Sequence, residues 1–235
     1  MAGTLYLLPS PVADGTALDV IAPRMLALLP QLRFFLAEDV RTARRFLSSL
    51  KIYPSIEALQ FDVLDKDTTE SQLPALLQPA LRGEAMGLLS EAGCPGVADP
   101  GARAVAFAHR KGIKVVPLVG PSAILLALMS SGMNGQQFSF HGYLPMEQRE
   151  LIQQLQALEA ESRARGQTQI FIETPYRNQS LFGQLIKTLH PDTQLCVAID
   201  VTGEHEQIKS KPVAEWRRTE HTWPKLPAVF LIQRN

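Results

Sequence analysis

The stretch "AMGLLSEAGCPGVADPGARAVAFAHRKGIKVVPL", residues 85–118, narrows the possible folds more than any other part of the chain. An apolar pentapeptide runs into a loop rich in glycine and proline; a helical alanine-rich run ended by Gly112 follows, and then a second apolar run. Short apolar runs bounded by turn residues read as buried strands, and two of them joined by a helix form a parallel crossover unit. Such a unit packs helices against a sheet, the strand, loop, helix rhythm of a parallel-sheet domain.

The same rhythm recurs on either side. "LYLL" (5–8) is a strand that ends at Pro9, and "PSPVADG" after it is a turn-rich loop. A helix is predicted over 17–29, a strand at "FFLA" (34–37), and a helix over 41–50 with Phe46, Leu47 and Leu50 on one side. "FDVLDKDTTESQ" (61–72) reads as a polar loop entering a helix at 71–82. "PSAILLALMSSG" (121–132) has proline at its start and glycine at its end, the usual helix asymmetry.

Beyond residue 132 the strands become more isolated. "FSFHGYLP" (138–145) alternates in polarity, a charged helix spans 146–165, and "TQIFIE" (168–173) precedes a helix at 176–189. "QLCVAID" (194–200) and "PAVFLIQ" (227–233) are the remaining strands. The fold class expected is α/β, in two α/β domains: a parallel-sheet N-terminal domain over 1–118 and a mixed-sheet C-terminal domain over 119–235.

Charge and cysteine usage remove several functions. The 23 basic and 23 acidic side chains cancel, so no overall field attracts a polyanion, and a nucleic-acid partner would need a local patch. Cys94 and Cys196 are far apart, without a CxxC pair or a His/Cys cluster, so no metal site and two reduced thiols are expected. The apolar run Ala123–Met129 is far shorter than the ~20 residues of a membrane span. No basic stretch with a long apolar core opens the chain, and a cytoplasmic protein with no membrane partner is expected.

The loop "SEAGCPGVADPG" (90–101) falls at the carboxyl end of its strand, where open α/β sheets collect ligands. Gly93, Gly96 and Gly101 let backbone approach a ligand, and Pro95 and Pro100 fix φ, which preorganises the loop. It is not a phosphate loop: GxxxxGK[ST] is absent, and GxGxxG does not follow the first strand, so ATPase and dinucleotide-binding readings lose their support.

Six segments in fixed order carry a resemblance over nearly the whole chain: "TLYLLPSPV", "AEDVRTARRFL", "SEAGCPGVADPGARAV", "VVPLVGPSAILLAL", "FSFHGYLP" and "IFIETPYR". Together they resemble the tetrapyrrole methylase superfamily of S-adenosylmethionine-dependent methyltransferases, and most of all its branch of 16S ribosomal RNA (cytidine-2′-O)-methyltransferases. The resemblance implies S-adenosylmethionine held in a cleft between two domains, a homodimer, and a ribose 2′-hydroxyl of small-subunit ribosomal RNA as methyl acceptor. It also implies donor contacts from Pro9, from the main chain of Ala92, Gly93, Cys94, Pro95 and Val97, and from Ser122 and Ala123. Further contacts are implied at Ile172 and Glu173, at Thr202, and at Pro227 and Ala228. A tetrapyrrole or other small acceptor, and a binding module without catalysis, stand as alternatives. Where the RNA-modifying branch reads "TPIGN" in its first loop, this chain has "SPVADG".

A weakly acidic ribose hydroxyl would be helped by a base. Glu38, Asp39, Glu91, Asp99, His141 and Glu173 are candidates, each with a local role available: a helix cap for Glu38 and Asp39, a turn for Asp99, an ion pair with Arg177 for Glu173. No single catalytic residue is assigned. Two basic clusters, "RTARR" (41–45) and "KSKPVAEWRR" (209–218), could meet RNA, with Trp216 available to stack on a base.

Overall fold

The computed structural model describes residues 2–235, which cluster into two compact units that divide at Ser122/Ala123. That division falls four residues after the 118/119 boundary expected from sequence. Leu118 still donates to Leu7 O at 3.1 Å and Gly120 lies against the Pro9 ring, which ties this segment to the first unit.

The first unit runs β1 (Thr4–Leu8), α1 (Ala17–Val20), α2 (Pro23–Leu28), β2 (Phe34–Ala37), α3 (Val40–Ser49), β3 (Gln60–Val63), α4 (Leu73–Leu76), α5 (Gln78–Leu81), β4 (Ala85–Leu89), α6 (Gly101–Arg110) and β5 (Lys114–Pro117). Its five strands are all parallel, in the order β3-β2-β4-β1-β5. Helices cover both faces. Met25, Leu29, Phe35 and Leu47 pack on one side, and Leu36, Leu73, Met86 and Phe107 on the other.

Three local expectations change. The helix predicted over 17–29 is two short helices, because the residue before Pro23 is driven to extended backbone, with φ −63° and ψ 141° at Ala22. The helix predicted over 71–82 likewise divides at Leu77, where Pro79 enters the first turn of α5. The first residues of the polar stretch 61–72 belong to β3, an edge strand whose mostly exposed side chains lack the apolar signature of its neighbours.

The second unit runs α7 (Ala123–Ser131), β6 (Phe138–Tyr143), α8 (Gln148–Arg165), β7 (Thr168–Glu173), α9 (Asn178–Thr188), β8 (Gln194–Ile199), β9 (Gln207–Pro212), α10 (Val213–Trp216) and β10 (Ala228–Gln233). Its sheet is mixed, in the order β6-β7-β10-β8-β9, with β6 parallel to β7 and the other pairs antiparallel. β9, which has little apolar character, was not expected. It forms one edge and presents Lys209 and Lys211, while β6 at the other edge shifts register between Phe140 and Tyr143. Gly166 closes α8 at φ +61°, a left-handed cap that glycine adopts without penalty.

Trp216 corrects an expectation about binding. It is fully buried, donates its indole N–H to Leu195 O at 2.9 Å, and meets Phe182 edge-on at a 5.3 Å ring separation. An apolar ring with its one donor satisfied belongs in a core, so Trp216 cannot stack on a base. Lys211 lies over its ring at 5.5 Å, and Lys209 lies over Trp223 at 5.7 Å.

Gly87 sits at the centre of β4, where an added Cβ would come within 2.5 Å of Leu8 Cδ1 and 2.8 Å of Phe35 Cδ1. Replacing Gly87 with alanine overpacks this layer and is expected to lower stability by about 1–3 kcal/mol, read as a fall in the urea midpoint at unchanged slope.

Candidate functional site

In the first unit the chain leaves β1 toward β2, across β4, and leaves β4 toward β5, across β1. The loops after β1 and β4 therefore cross, and the carboxyl edge between these strands is the crevice where open α/β sheets bind ligands. The crossing is stitched by three hydrogen bonds between the loops and braced by a fourth, from Ser90 to Gly93, within the second loop. Ser10 N donates to Gly93 O at 2.9 Å and Gly93 N to Ser10 O at 3.0 Å; Ser10 Oγ donates to Ser90 O at 2.8 Å and Ser90 Oγ to Gly93 O at 2.9 Å.

The rest of the 90–101 loop is fixed by its own residues. Asp99 Oδ1 accepts from Gly96 N at 2.7 Å and from Gly101 N at 2.8 Å, as a turn-closing aspartate does. Gly93 and Gly96 have φ of +73° and +84°, values that cost glycine little, and Ala98 adopts φ +60° between them and the helix. Cys94 Sγ reaches Pro121 O at 3.4 Å, and a Cβ on Gly120 would strike the Pro9 ring at 2.2 Å. Pro9, Gly93, Cys94 and the 120–122 segment are thus brought together, while Ala92 and Val97 face solvent. Of the sequence-predicted donor residues of this unit, Pro9, Gly93 and Pro95 are buried and Cys94 is half-buried.

The charge at this edge is negative. Burial raises the Glu38 carboxyl above its ordinary range, helped by Glu91, Asp99 and Asp65 nearby. Burial also raises Asp99, against the two backbone hydrogen bonds that lower it. The Cys94 thiol is pushed up by burial first and by Asp99 second. Asp39 is the exception: it caps α3, accepting from Thr42 N at 2.6 Å, and that bond holds its carboxyl low.

Beside the crossing lies a cavity of about 570 Å³, walled by the loop after β1, by one face of α3, and by Ser90 and Glu91. Among the described residues its surface mixes apolar side chains (Leu18, Ala43, Phe46) with Asp14, Asp19, Glu91 and a single cation, Arg45. Of the "RTARR" cluster, only Thr42, Ala43 and Arg45 face this space; Arg44 lies over the Phe61 ring at 5.3 Å. Sequence reasoning missed the cavity, because its walls come from three segments, 10–19, 42–49 and 90–91, that meet only once the sheet has formed.

In the second unit, the register of β7, β10 and β8 gathers the predicted residues at one sheet edge. Ala228 pairs with both Glu173 and Ile199, Val229 with Ile172, and Asp200 N donates to Pro227 O at 3.0 Å. Ala123, at the start of α7, packs against the cluster that includes Ile172, Val201 and Val229. The turn after β8 is strained, with Asp200 at φ +52° and Thr202 at +70°, and it is held by Glu206 Oε2 on Thr202 N at 2.7 Å and by Asp200 Oδ2 on His205 N at 2.9 Å. Thr202 Oγ1 is buried there without a hydrogen-bond partner. Strain and an unsatisfied hydroxyl at one turn are features that functional sites retain.

The remaining base candidates are engaged locally. Glu173 is fully buried; its Oε1 accepts from Thr174 N at 2.6 Å and its Oε2 lies 3.2 Å from Arg177 Nη2. His141 Nε2 meets Gln169 Oε1 at 2.6 Å. Among the described residues no group of three or more His, Cys, Asp or Glu side chains could hold a metal ion, and no helix is long and apolar enough to cross a membrane.

No protein-family model matches the chain. Curated relatives do. The "Ribosomal RNA small subunit methyltransferase I" of Vibrio cholerae is 32% identical over 235 residues, covering 98% of this chain and 77% of the relative, and that of Pasteurella multocida is 33% identical, covering 93% and 73%. Among solved structures, the methyltransferase CobJ superposes with a TM-score of 0.63 at 18% identity, covering 99% of this chain and 95% of that one. A Thermus thermophilus uroporphyrin-III C-methyltransferase, solved with S-adenosylhomocysteine, gives 0.58 at 17% identity, covering 99% and 98%. At these identities the two structures speak to the fold, which is that of the tetrapyrrole methylases, and the sequence relatives speak to the family. The chain belongs to the ribosomal RNA small subunit methyltransferase I family.

Proposed function

We infer that the chain transfers a methyl group from S-adenosylmethionine to a ribose 2′-hydroxyl of small-subunit ribosomal RNA. The observation that carries this reading is the kinship with relatives whose names specify that RNA, at 30–33% identity over nearly the whole chain. The site residues suit the donor. A loop with backbone at left-handed φ at Gly93 and Gly96 leaves no Cβ between a ligand and its main chain. Negative charge from Glu38, Glu91 and Asp99 favours a cation at the same edge.

S-adenosylmethionine, when bound, supplies a methyl group on a sulfonium: an oxygen nucleophile forms the new C–O bond as the C–S bond breaks, S-adenosylhomocysteine leaves, and the hydroxyl proton passes to water. The chain's part in this is positioning. Pro9, Ala92, Gly93, Cys94, Pro95, Val97 and Ser122 are the first unit's donor contacts in this reading. Ala123, Ile172, Glu173, Thr202, Pro227 and Ala228 are the second unit's. Holding both reactants in line is worth several orders of magnitude without a dedicated base, in keeping with the local engagement of Asp39, Asp99 and Glu173. A homodimer acting in the cytoplasm, where ribosomal subunits mature, completes the reading.

The direct test is labelled methyl incorporation into small ribosomal subunits from a strain lacking this gene; retention of all label in the donor would defeat the proposal. Gly93→Val places a β-branched residue at φ +73°, which costs about 1–3 kcal/mol in the loop, and calorimetry should show donor affinity reduced roughly tenfold or more.

Thiol chemistry gives an independent reading. A raised thiol pKa means less thiolate at a given pH, so Cys94 should alkylate more slowly at pH 8 than a free cysteine, and faster as pH rises. Asp99→Asn removes the negative neighbour and should speed it, and saturating S-adenosylmethionine should protect it. Cys196, buried in the second unit's core and pushed up to about 12, should stay unreacted until the protein unfolds.

A further inference from the structure

The cavity between α3 and the loop after β1 lies outside the donor contacts, and its position fixes what it can serve. Ser90 and Glu91 form part of its wall, and Ala92 and Gly93, the next residues in the chain, begin the donor loop. Consecutive Cα atoms are 3.8 Å apart, so Ala92 and Gly93 lie within two residue steps of the cavity wall at Glu91. The mutual Ser10–Gly93 hydrogen bonds hold this junction from the opposite side, since Ser10 also lines the cavity. In-line transfer needs the accepting oxygen ~3–3.5 Å from the methyl carbon, so a cavity whose wall at Ser90 and Glu91 leads in sequence directly into the donor loop is a place for an acceptor to sit.

Size and charge narrow the occupant. At about 570 Å³ the cavity falls within the ~300–1,000 Å³ range of small-ligand sites, enough for one nucleotide and not for a stacked helix. Apolar Phe46, Ala43 and Leu18 offer surface for the face of a base. Among the described residues Arg45 is its only cation, set against Asp14, Asp19 and Glu91. One guanidinium suits one phosphodiester, and three carboxylates accept N–H and O–H donors from a base or ribose. A polycarboxylated acceptor such as a tetrapyrrole would set its own charges against those three.

We propose that this cavity receives a single unstacked ribonucleotide of the RNA substrate, with Arg45 on its phosphodiester and the carboxylates facing donors on its sugar and base. This rests on the RNA reading above. Arg45 is then a positioning residue that acts on acceptor binding and leaves the donor untouched.

The test combines filter binding of small ribosomal subunits from a strain lacking the gene, labelled methyl transfer to those subunits, and calorimetry with S-adenosylmethionine. Arg45 and Ser49 are both exposed cavity residues, so substitution there spares the core. Arg45→Ala should weaken subunit binding roughly tenfold, raise KM in proportion with a smaller change in kcat, and reduce the salt slope of binding by about 0.7–0.9. Arg45→Lys should restore most of the affinity. Ser49→Trp, which fills the cavity, should lower kcat/KM about a hundredfold. All three should keep donor affinity within about twofold and the melting temperature within a few degrees. Unchanged RNA affinity and transfer in Arg45→Ala and Ser49→Trp would overturn the proposal while the function stands. So would a loss of donor affinity in step with RNA affinity. A wild-type chain that methylates no RNA removes the functional reading itself, and the proposal with it.

Discussion

The mutual backbone bonds between Ser10 and Gly93 are the constraint on which the site depends. The strand order forces the exits of β1 and β4 to cross, and two loops that cross without bonding would leave buried backbone groups unpaired. Pairing them, with Ser10 Oγ and Ser90 Oγ taking the adjacent carbonyls, turns a topological necessity into a rigid floor. Everything attributed to the first unit's site is built out from that floor: the glycine-rich loop on one side and the cavity beneath α3 on the other.

The two units solve the same problem with different chemistry. In the first, ordering comes from prolines, glycines and a turn-closing Asp99. In the second it comes from antiparallel register, which brings Glu173 and Ala228 opposite each other, and from a carboxylate-braced turn that holds Thr202 at positive φ. Small residues and backbone dominate both edges, which is what a ligand recognised by shape and dipoles requires.

Much of this was legible in the chain. Strands buried on both faces, such as "AMGLL" and "IFIE", announce themselves as continuous apolar runs, and the glycine–proline loop announces a backbone-presenting turn. What was hidden has a common cause. β3 and β9 are edge strands whose exposed side chains are mostly polar, so their strand character lies in backbone pairing that composition does not encode. Trp216 looked like a stacking residue because it sits in a basic run, yet the neighbours that bury it, Phe182, His221 and Trp223, are distant or unremarkable in sequence. The cavity was invisible for the same reason: Ser10, Arg45 and Glu91 belong to three segments that meet only in the folded sheet.

The edges of the second unit's sheet carry a consequence for the chain's behaviour at high concentration. An outermost strand offers unpaired N–H and C=O groups to any other strand that drifts past. Here β9 places the ammonium groups of Lys209 and Lys211 along one border, so a second copy would have to bury like charges to pair there. The opposite border, β6, breaks its ladder between Phe140 and Tyr143 and offers no straight template. A sheet rich in buried Val, Ile and Phe is in this way kept from growing beyond its own five strands, and self-association into fibrils is opposed at both ends by features that contribute little to the fold itself.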